Sequence, residues 1–178
     1  MKKSLKYAWI GVVILLMVQV FIERYFHLKL IIFKLNSVFI SLLLIISIIV
    51  LPMFIFHYNK YKIIKIIYNI IGSILIAFMC FIYLFACSGN KYFQFKSPYD
   101  DKVLVVEETS FLLFGGSNFY QKKYIIFMES IGGSIGTDDG YRPFSHNQYN
   151  IKWLDENTIE INYDFGSGGI WKKEVIHI

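Results

Sequence analysis

The feature that most constrains this chain is an apolar run from Ile66 to Ala86 that contains no charged residue. As an α-helix the run would be about 32 Å long, enough to cross the roughly 30 Å hydrocarbon core of a bilayer. It is followed at once by Cys87-Ser88-Gly89-Asn90, a sequence that favours the end of a helix. The run therefore predicts a transmembrane helix that joins a membrane part to a C-terminal folded domain.

Two further apolar runs precede it, over residues 7–22 and 38–56. No small-x-small cleavage site follows the first run, so we interpret it as a membrane helix and not as a signal peptide. Hydrophobic residues make up 56% of the chain, more than globular domains usually contain. We therefore predict three transmembrane helices, at about 7–22, 38–56 and 66–86, with an interfacial segment over residues 23–37.

Several polar or small residues within these runs are typical of helix–helix packing. Gln19 is predicted to pack between helices, and so are Asn69 and the small-xxx-small pair Ser73 and Ala77. The three runs contain no Asp, Glu, Lys, Arg or His, which disfavours a transporter.

The positive charge of the chain lies in its first half. Residues 1–86 contain nine Lys or Arg against one acid, whereas residues 87–178 contain nine against twelve. This split is explained by the orientation of membrane helices and by contacts of basic residues with lipid headgroups, and it disfavours a nucleic-acid partner. Six basic residues lie at the N-terminus and in the second connector, and three lie in the first. The positive-inside rule then predicts a cytoplasmic N-terminus and an extracytoplasmic C-terminal domain.

From Lys91 onward, apolar and polar residues alternate in short stretches separated by turn residues. We predict strands over residues 91–96, 102–109, 119–129, 149–154, 158–164 and 170–178. Turns are predicted at 97–101, 115–118, 155–157 and 166–169, with a glycine-rich loop at 132–140. The expected architecture is a membrane domain over 1–87, then a small antiparallel β-sandwich or barrel-like meander over 91–178.

The chain has two cysteines, Cys80 and Cys87, seven residues apart on one predicted helix. Their Cα atoms would be about 10 Å apart, too far for a disulfide bond. Leu84-Phe85-Ala86-Cys87 resembles a bacterial lipobox, which would imply lipidation of Cys87 and cleavage before it. The leader would then be 86 residues long, so an ordinary cysteine at the end of the third helix is the favoured interpretation.

The segment 132–136 fits the G-x-S-x-G pattern of serine hydrolases, with Ser134 followed by Asp138 or Asp139 and then His146. That chemistry requires a turn between a strand and a helix, and no helix is predicted here. We therefore interpret the segment as a hairpin loop and predict neither catalytic residues nor a cofactor.

No metal site is predicted. Asp138 and Asp139, together with Asp100 and Asp101, could offer oxygen ligands for calcium, but the EF-hand spacing is absent and Asp is a common turn residue. The four histidines show no metal-ligand spacing either: His27, His57, His146 and His177.

One loop is the best candidate for an exposed contact surface. It contains Tyr141, Arg142 and Phe144, next to Asp138 and Asp139. The tryptophans at strand positions, Trp153 and Trp171, are instead predicted to lie in the core.

Two stretches of the C-terminal half carry a resemblance. Residues 97–102 (SPYDDK) and 151–162 (IKWLDENTIEIN) resemble the hairpins of uncharacterised membrane-anchored β-domain proteins of Gram-positive bacteria. The resemblance implies an extracytoplasmic β domain without catalytic residues.

The expected function is a non-enzymatic β domain held at the membrane, binding a protein or peptide partner outside the cell. Three alternatives are a bacteriocin-immunity or envelope-stress protein that acts through its helices, a lipoprotein lipidated at Cys87, and a surface hydrolase using Ser134 and His146.

Overall fold

The computed structural model describes residues 2–32, 35–55, 62–166 and 168–178, without the side chains of Lys2 and Leu35. It has three long apolar helices followed by antiparallel sheets, as the sequence predicts. The chain divides into two compact units, Met1–His27 with Leu35–Leu84 and Leu28–Lys34 with Phe85–Ile178. Predictions that concern Phe56, His57, Lys60 and Ser167 lie outside the described residues.

The helices are α1 (Lys2–Tyr25), α2 (Ser37–Ile55) and α3 (Lys62–Ala86). Each is long and apolar enough to cross a membrane. α1 and α3 begin four or more residues before the predicted starts at 7 and 66. The added first turns contain lysines, which favour helix but do not belong to an apolar run.

Gln19 joins α1 to α2, as the sequence predicts. Its Nε2 donates hydrogen bonds to the Ser37 carbonyl oxygen at 3.0 Å and to Ser41 Oγ at 2.8 Å. Near the other end of α1, the indole of Trp9 donates to the Ile48 carbonyl oxygen at 3.0 Å. The two helices therefore run antiparallel with a polar contact near each end.

α3 approaches α2 closely at Gly72. A Cβ atom on Gly72 would come within 2.8 Å of Met53 Cε, so a larger residue here would require the Met53 side chain to shift. Tyr68, one turn earlier, donates to the Ile49 carbonyl oxygen at 3.0 Å. Ser73 and Ala77 are exposed, so the prediction that this pair packs the helices is wrong within this chain.

The larger sheet of the second unit is a curled antiparallel sheet with strand order β1-β6-β5-β4-β3. The strands are β1 (Leu28–Ile32), β3 (Lys91–Lys96), β4 (Val103–Phe111), β5 (Phe114–Lys123) and β6 (Phe127–Thr137); β2 (Leu35–Asn36) belongs to the first unit.

A smaller sheet has the order β7-β8-β9, also antiparallel. Its strands are β7 (Tyr149–Trp153), β8 (Thr158–Asp164) and β9 (Trp171–His177). These three strands agree with the predicted ones to within one residue at each end. The strand over 91–96 is also confirmed, and 102–109 is confirmed as the start of the longer β4.

The predicted elements between residues 112 and 140 are wrong in their boundaries. The turn lies at Leu112–Leu113, so the predicted turn over 115–118 is part of β5. A second turn, over 124–126, interrupts the predicted strand 119–129, and β6 continues through most of the predicted loop 132–140. The reason is cross-strand pairing: Gly116 lies opposite Gly136, and their ladder overrides local turn preference.

The first connector is not a separate interfacial segment, which corrects the prediction for residues 23–37. Its residues Leu28–Ile32 form β1, which pairs antiparallel with β6. Leu28 lies opposite Glu129, and Leu30 lies opposite Phe127. Ile31 is buried against this sheet. A segment distant in sequence thus completes the edge of the β domain.

Alternation along β4 separates two apolar clusters on the two faces of the larger sheet. The larger cluster contains Leu104, Val106, Phe119, Ile135, Phe144, Trp153, Ile159, Ile161, Tyr163 and Ile176. The smaller one contains Ile31, Val105, Tyr120 and Met128. Trp153 is a core residue, as predicted. Trp171 is 51% exposed, so the prediction that it lies in the core is wrong. The reason is that Trp171 begins β9, an edge strand of the smaller sheet.

Candidate functional site

Only some residues of the predicted contact loop are exposed. Phe144 is fully buried, with its ring centroid 4.8 Å from that of Tyr149 and 5.9 Å from that of Phe93. Its prediction as an exposed contact residue is wrong, because the apolar ring fills the core of a small domain. Asp138 and Asp139 are exposed at a 3-10 turn, as expected.

A buried carboxylate holds this loop in place. Glu108 on β4 is fully buried and accepts hydrogen bonds from the backbone N–H of Phe144 at 2.7 Å and of Ser145 at 3.2 Å. The Ser145 hydroxyl donates to the same carboxylate. This role is not apparent from the sequence, although two adjacent glutamates inside an apolar strand are an unusual pattern.

Tyr141 and Arg142 are half-buried and bonded within the domain. The ring of Tyr141 stacks on His146 with centroids 5.1 Å apart, and burial together with the Asp164 carboxylate raises the pKa of its hydroxyl. Arg142 Nη1 donates to the Gly89 carbonyl oxygen at 2.7 Å, which ties the loop to the segment after α3. Both side chains therefore stabilise the loop.

The G-x-S-x-G segment lies inside β6, with Ser134 exposed and opposite Asn118 on β5. His146 Nδ1 lies 2.8 Å from the Arg142 carbonyl oxygen. Among the residues that the structure describes, no hydrogen bond joins Ser134 to His146. The same part of the chain contains no group of three or more His, Cys, Asp or Glu side chains that could hold a metal ion.

A second buried polar site lies on the opposite face of β4, around Glu107. Glu107 Oε1 accepts hydrogen bonds from the Tyr92 hydroxyl at 2.6 Å and from Asn90 Nδ2 at 3.2 Å. Its Oε2 accepts one from the Tyr120 hydroxyl at 2.8 Å. Lys29 of β1 completes what we call the Glu107 cluster: Lys29, Asn90, Tyr92, Glu107 and Tyr120.

Lys29 supplies the positive charge of the cluster. Its Nζ donates to the Tyr120 hydroxyl at 2.7 Å and lies 3.8 Å from Glu107 Oε2. Burial, with the nearby Glu107 charge, raises the pKa of Tyr120, so its phenol stays protonated and donates to the carboxylate. The cluster thus links β1, β3, β4 and β5 through one compensated charge.

Cys87 shortly precedes Asn90 of the Glu107 cluster in the sequence. Both cysteines are free, and Cys87 is half-buried. Burial raises the pKa of the Cys87 thiol, and the Glu107 charge adds to this effect. The thiol is therefore protonated at neutral pH and is a weak nucleophile.

Comparison of the chain with protein-family models, with curated proteins and with solved structures finds no match. The resemblance of residues 97–102 and 151–162 to membrane-anchored β-domain proteins stays a prediction.

Proposed function

We propose that this protein is an integral membrane protein with three spans and a cytoplasmic N-terminus. It holds a small, non-enzymatic β domain outside the cell for interaction with a protein or peptide partner. The observation that carries this proposal is β1: the connector between α1 and α2 is a strand of the β domain.

The pairing of β1 with β6 supports the three-span arrangement. The two strands must lie on the same side of a membrane, because a ladder of backbone hydrogen bonds joins them. If α1, α2 and α3 all cross, the connector after α1 and the chain after α3 emerge on the same side. The excess of basic residues at the N-terminus and in the second connector favours the cytoplasm for the other side.

Double attachment supports a presenting role. The β domain is joined covalently to membrane helices at both ends of β1 and at the end of α3, and the Glu107 cluster links β1 to the sheet. The domain therefore has several covalent connections to membrane helices instead of a single tether, which suits recognition of a partner at the membrane surface.

The non-enzymatic part of the proposal rests on the surroundings of Ser134. Its strand position lacks the strand–turn–helix geometry that exposes and activates a nucleophilic serine. We expect no labelling of the full chain by a serine-reactive phosphonate probe. Labelling that Ser134→Ala abolishes would contradict this part.

Topology can be tested with single cysteines in a Cys80→Ser/Cys87→Ser background. A membrane-impermeant maleimide added to intact cells should label Asn157→Cys and Ser134→Cys in the β domain. Lys3→Cys and Lys62→Cys, at the first turns of α1 and α3, should be labelled only after lysis. The reverse pattern, or labelling of all four in intact cells, would overturn the proposed orientation.

A further inference from the structure

The hairpin between β4 and β5 ends in four consecutive apolar residues, which we call the apolar tip: Phe111, Leu112, Leu113 and Phe114. Leu112 is 66% exposed, Leu113 68% and Phe114 77%. Two other hairpin turns are polar: the β7–β8 turn is Asp155-Glu156-Asn157, and the β3–β4 turn contains Asp100 and Asp101. The β5–β6 turn is also apolar, with Tyr124 82% and Ile125 86% exposed, so exposure alone does not distinguish the apolar tip. Exposure of contiguous large apolar side chains marks a contact surface.

The backbone of the apolar tip is poorly suited to leucine on local grounds. Leu112 has φ 54°, a left-handed conformation that favours glycine or asparagine. Neither local geometry nor burial in the domain therefore explains why leucine occupies this position. A role for the side chain outside the domain explains both the exposure and the unfavourable conformation.

The tip is nevertheless hydrogen-bonded to the rest of the domain. The Gly140 N–H donates to the Leu113 carbonyl oxygen at 2.9 Å, and Ser110 Oγ donates to the Gly140 carbonyl oxygen at 3.0 Å. A Cβ on Gly140 would come within 2.7 Å of the Leu112 carbonyl oxygen. Because the Leu113 carbonyl already has a donor within the domain, the tip can leave water with less loss of backbone hydrogen bonding.

One contact joins the tip to the last turn of α3. The Phe111 ring packs edge-to-face against Phe85, with centroids 5.4 Å apart. Phe85 lies in the last turn of α3, the helix that ends at Ala86. An apolar helix end that leaves a bilayer is surrounded by the headgroup–acyl boundary, where aromatic and apolar side chains are favoured.

We propose that the apolar tip inserts into the outer boundary of the same bilayer that α3 crosses, so that the β domain is seated on lipid. This inference rests on the proposed membrane insertion of α3. The occupant of this surface is lipid and not a second copy of the chain, because the tip continues the apolar surface of a membrane helix through the Phe85–Phe111 contact.

The test places an environment-sensitive fluorophore on single cysteines of the full chain, in a Cys80→Ser/Cys87→Ser background and in liposomes that contain brominated lipids. The labelled positions are Leu113→Cys at the tip, Asn157→Cys at the polar β7–β8 turn and Phe78→Cys at the exposed middle of α3. Lipid quenching should be strong at Phe78, several-fold stronger at Leu113 than at Asn157, and independent of the protein-to-lipid ratio.

Three results would contradict either the inference about the apolar tip or the proposed membrane insertion of α3. Equal, weak quenching at Leu113 and Asn157 with strong quenching at Phe78 overturns the tip inference alone. Shielding at Leu113 that lipid does not quench, and that falls as protein is diluted in lipid, means that a second copy covers the tip and also overturns it. Weak quenching at Phe78 overturns the proposed membrane insertion itself.

A second variant separates lipid contact from folding. Leu112→Gly/Leu113→Ser keeps a favourable turn, because glycine accepts positive φ. We expect an unchanged or higher urea midpoint of unfolding and a several-fold loss of quenching for a fluorophore at Phe114→Cys. Quenching at Phe114 that survives this double substitution would show that the leucines do not hold the tip in lipid.

Discussion

At the scale of residues, the two adjacent glutamates of β4 have different roles because alternate side chains of a strand point to opposite faces. Glu108 faces the larger core and binds the backbone of Phe144 and Ser145. Glu107 faces the smaller cluster and is bound by two tyrosine hydroxyls and Asn90. Both carboxylates are buried, so each is stabilised only by the donors around it.

Substitution of Glu108 by alanine should destabilise the β domain by about 2–4 kcal/mol, because buried N–H groups of Phe144 and Ser145 would lose their acceptor. Urea unfolding of the full chain in detergent, followed by tryptophan fluorescence, measures this loss. Glu129→Ala is the matched control, since Glu129 is 41% exposed and its bond to Lys123 is a surface ion pair worth about 0–1 kcal/mol. Equal losses for the two variants would contradict the proposed role of Glu108.

The Glu107 cluster predicts energetic coupling between Lys29 and Glu107. Lys29→Met should destabilise the domain by about 1–3 kcal/mol, because it leaves a buried carboxylate without its cation. The same substitution in a Glu107→Gln background should cost less, which a double-mutant cycle measures by urea unfolding. Lys122→Met, whose amine lies 3.4 Å from Gln94 Oε1 at an exposed site, is the control. Additive effects of the Lys29 and Glu107 substitutions would argue against the cluster.

At the scale of elements, β1 is decisive, because it belongs to the connector between two helices and yet forms the edge of the β domain. The Ile31 N–H donates to the Ile126 carbonyl oxygen at 2.8 Å, so residues 31 and 126 form a hydrogen-bonded pair. Pairs alternate along the ladder, which makes Leu28 and Glu129 a non-hydrogen-bonded pair. The Cα atoms of such pairs are about 4.5 Å apart, within the range for a disulfide.

This register predicts that Leu28→Cys/Glu129→Cys, in a background without the native cysteines, forms an intramolecular disulfide in membranes upon mild oxidation. Gel mobility under non-reducing conditions detects the bond. In the control, Lys29→Cys/Glu129→Cys, the two thiols point to opposite faces of the sheet and should remain reduced. Efficient cross-linking of the control pair, or none of the first, would show that β1 does not pair in this register.

At the scale of the whole molecule, the β domain is assembled from residues before and after the predicted lipobox. Cleavage before Cys87 would remove β1, together with Ile31 from the smaller cluster and Lys29 from the Glu107 cluster. The edge of β6 would then be left without its partner strand. A folded mature domain that starts at Cys87 would lose part of its own sheet.

We therefore expect a C-terminally tagged chain to run at full length in membranes, with no change in Cys87→Ser. Immunoblotting of membrane fractions measures the size, and labelling with a clickable fatty acid reports acylation of Cys87. A band of about half the length that disappears in Cys87→Ser would contradict this expectation. Lipidation would then be the mode of attachment, and β1 would not belong to the mature domain.

The sequence predicted much of the fold where the signal is local. Apolar runs located three helices, and alternation located the strands of the smaller sheet, because hydrophobic periodicity reports which face of a segment is buried. It failed at residues 112–140, where Gly115, Gly116, Gly132 and Gly133 suggested turns. These glycines lie in β5 and β6, and a side chain on Gly115 would come within 2.6 Å of the Tyr141 carbonyl oxygen. Close approach of two segments is not visible in either segment alone.

The sequence by itself determined three long apolar helices, the split of charge and the β character of the second half. These properties follow from composition and short-range order along the chain. Only the tertiary structure decided that β1 completes the β domain, that Phe144 is buried over Glu108 and that Leu112 and Leu113 are exposed beside Phe85 and Phe111. Each of the three depends on contacts between segments far apart in sequence, whose energies no local pattern records.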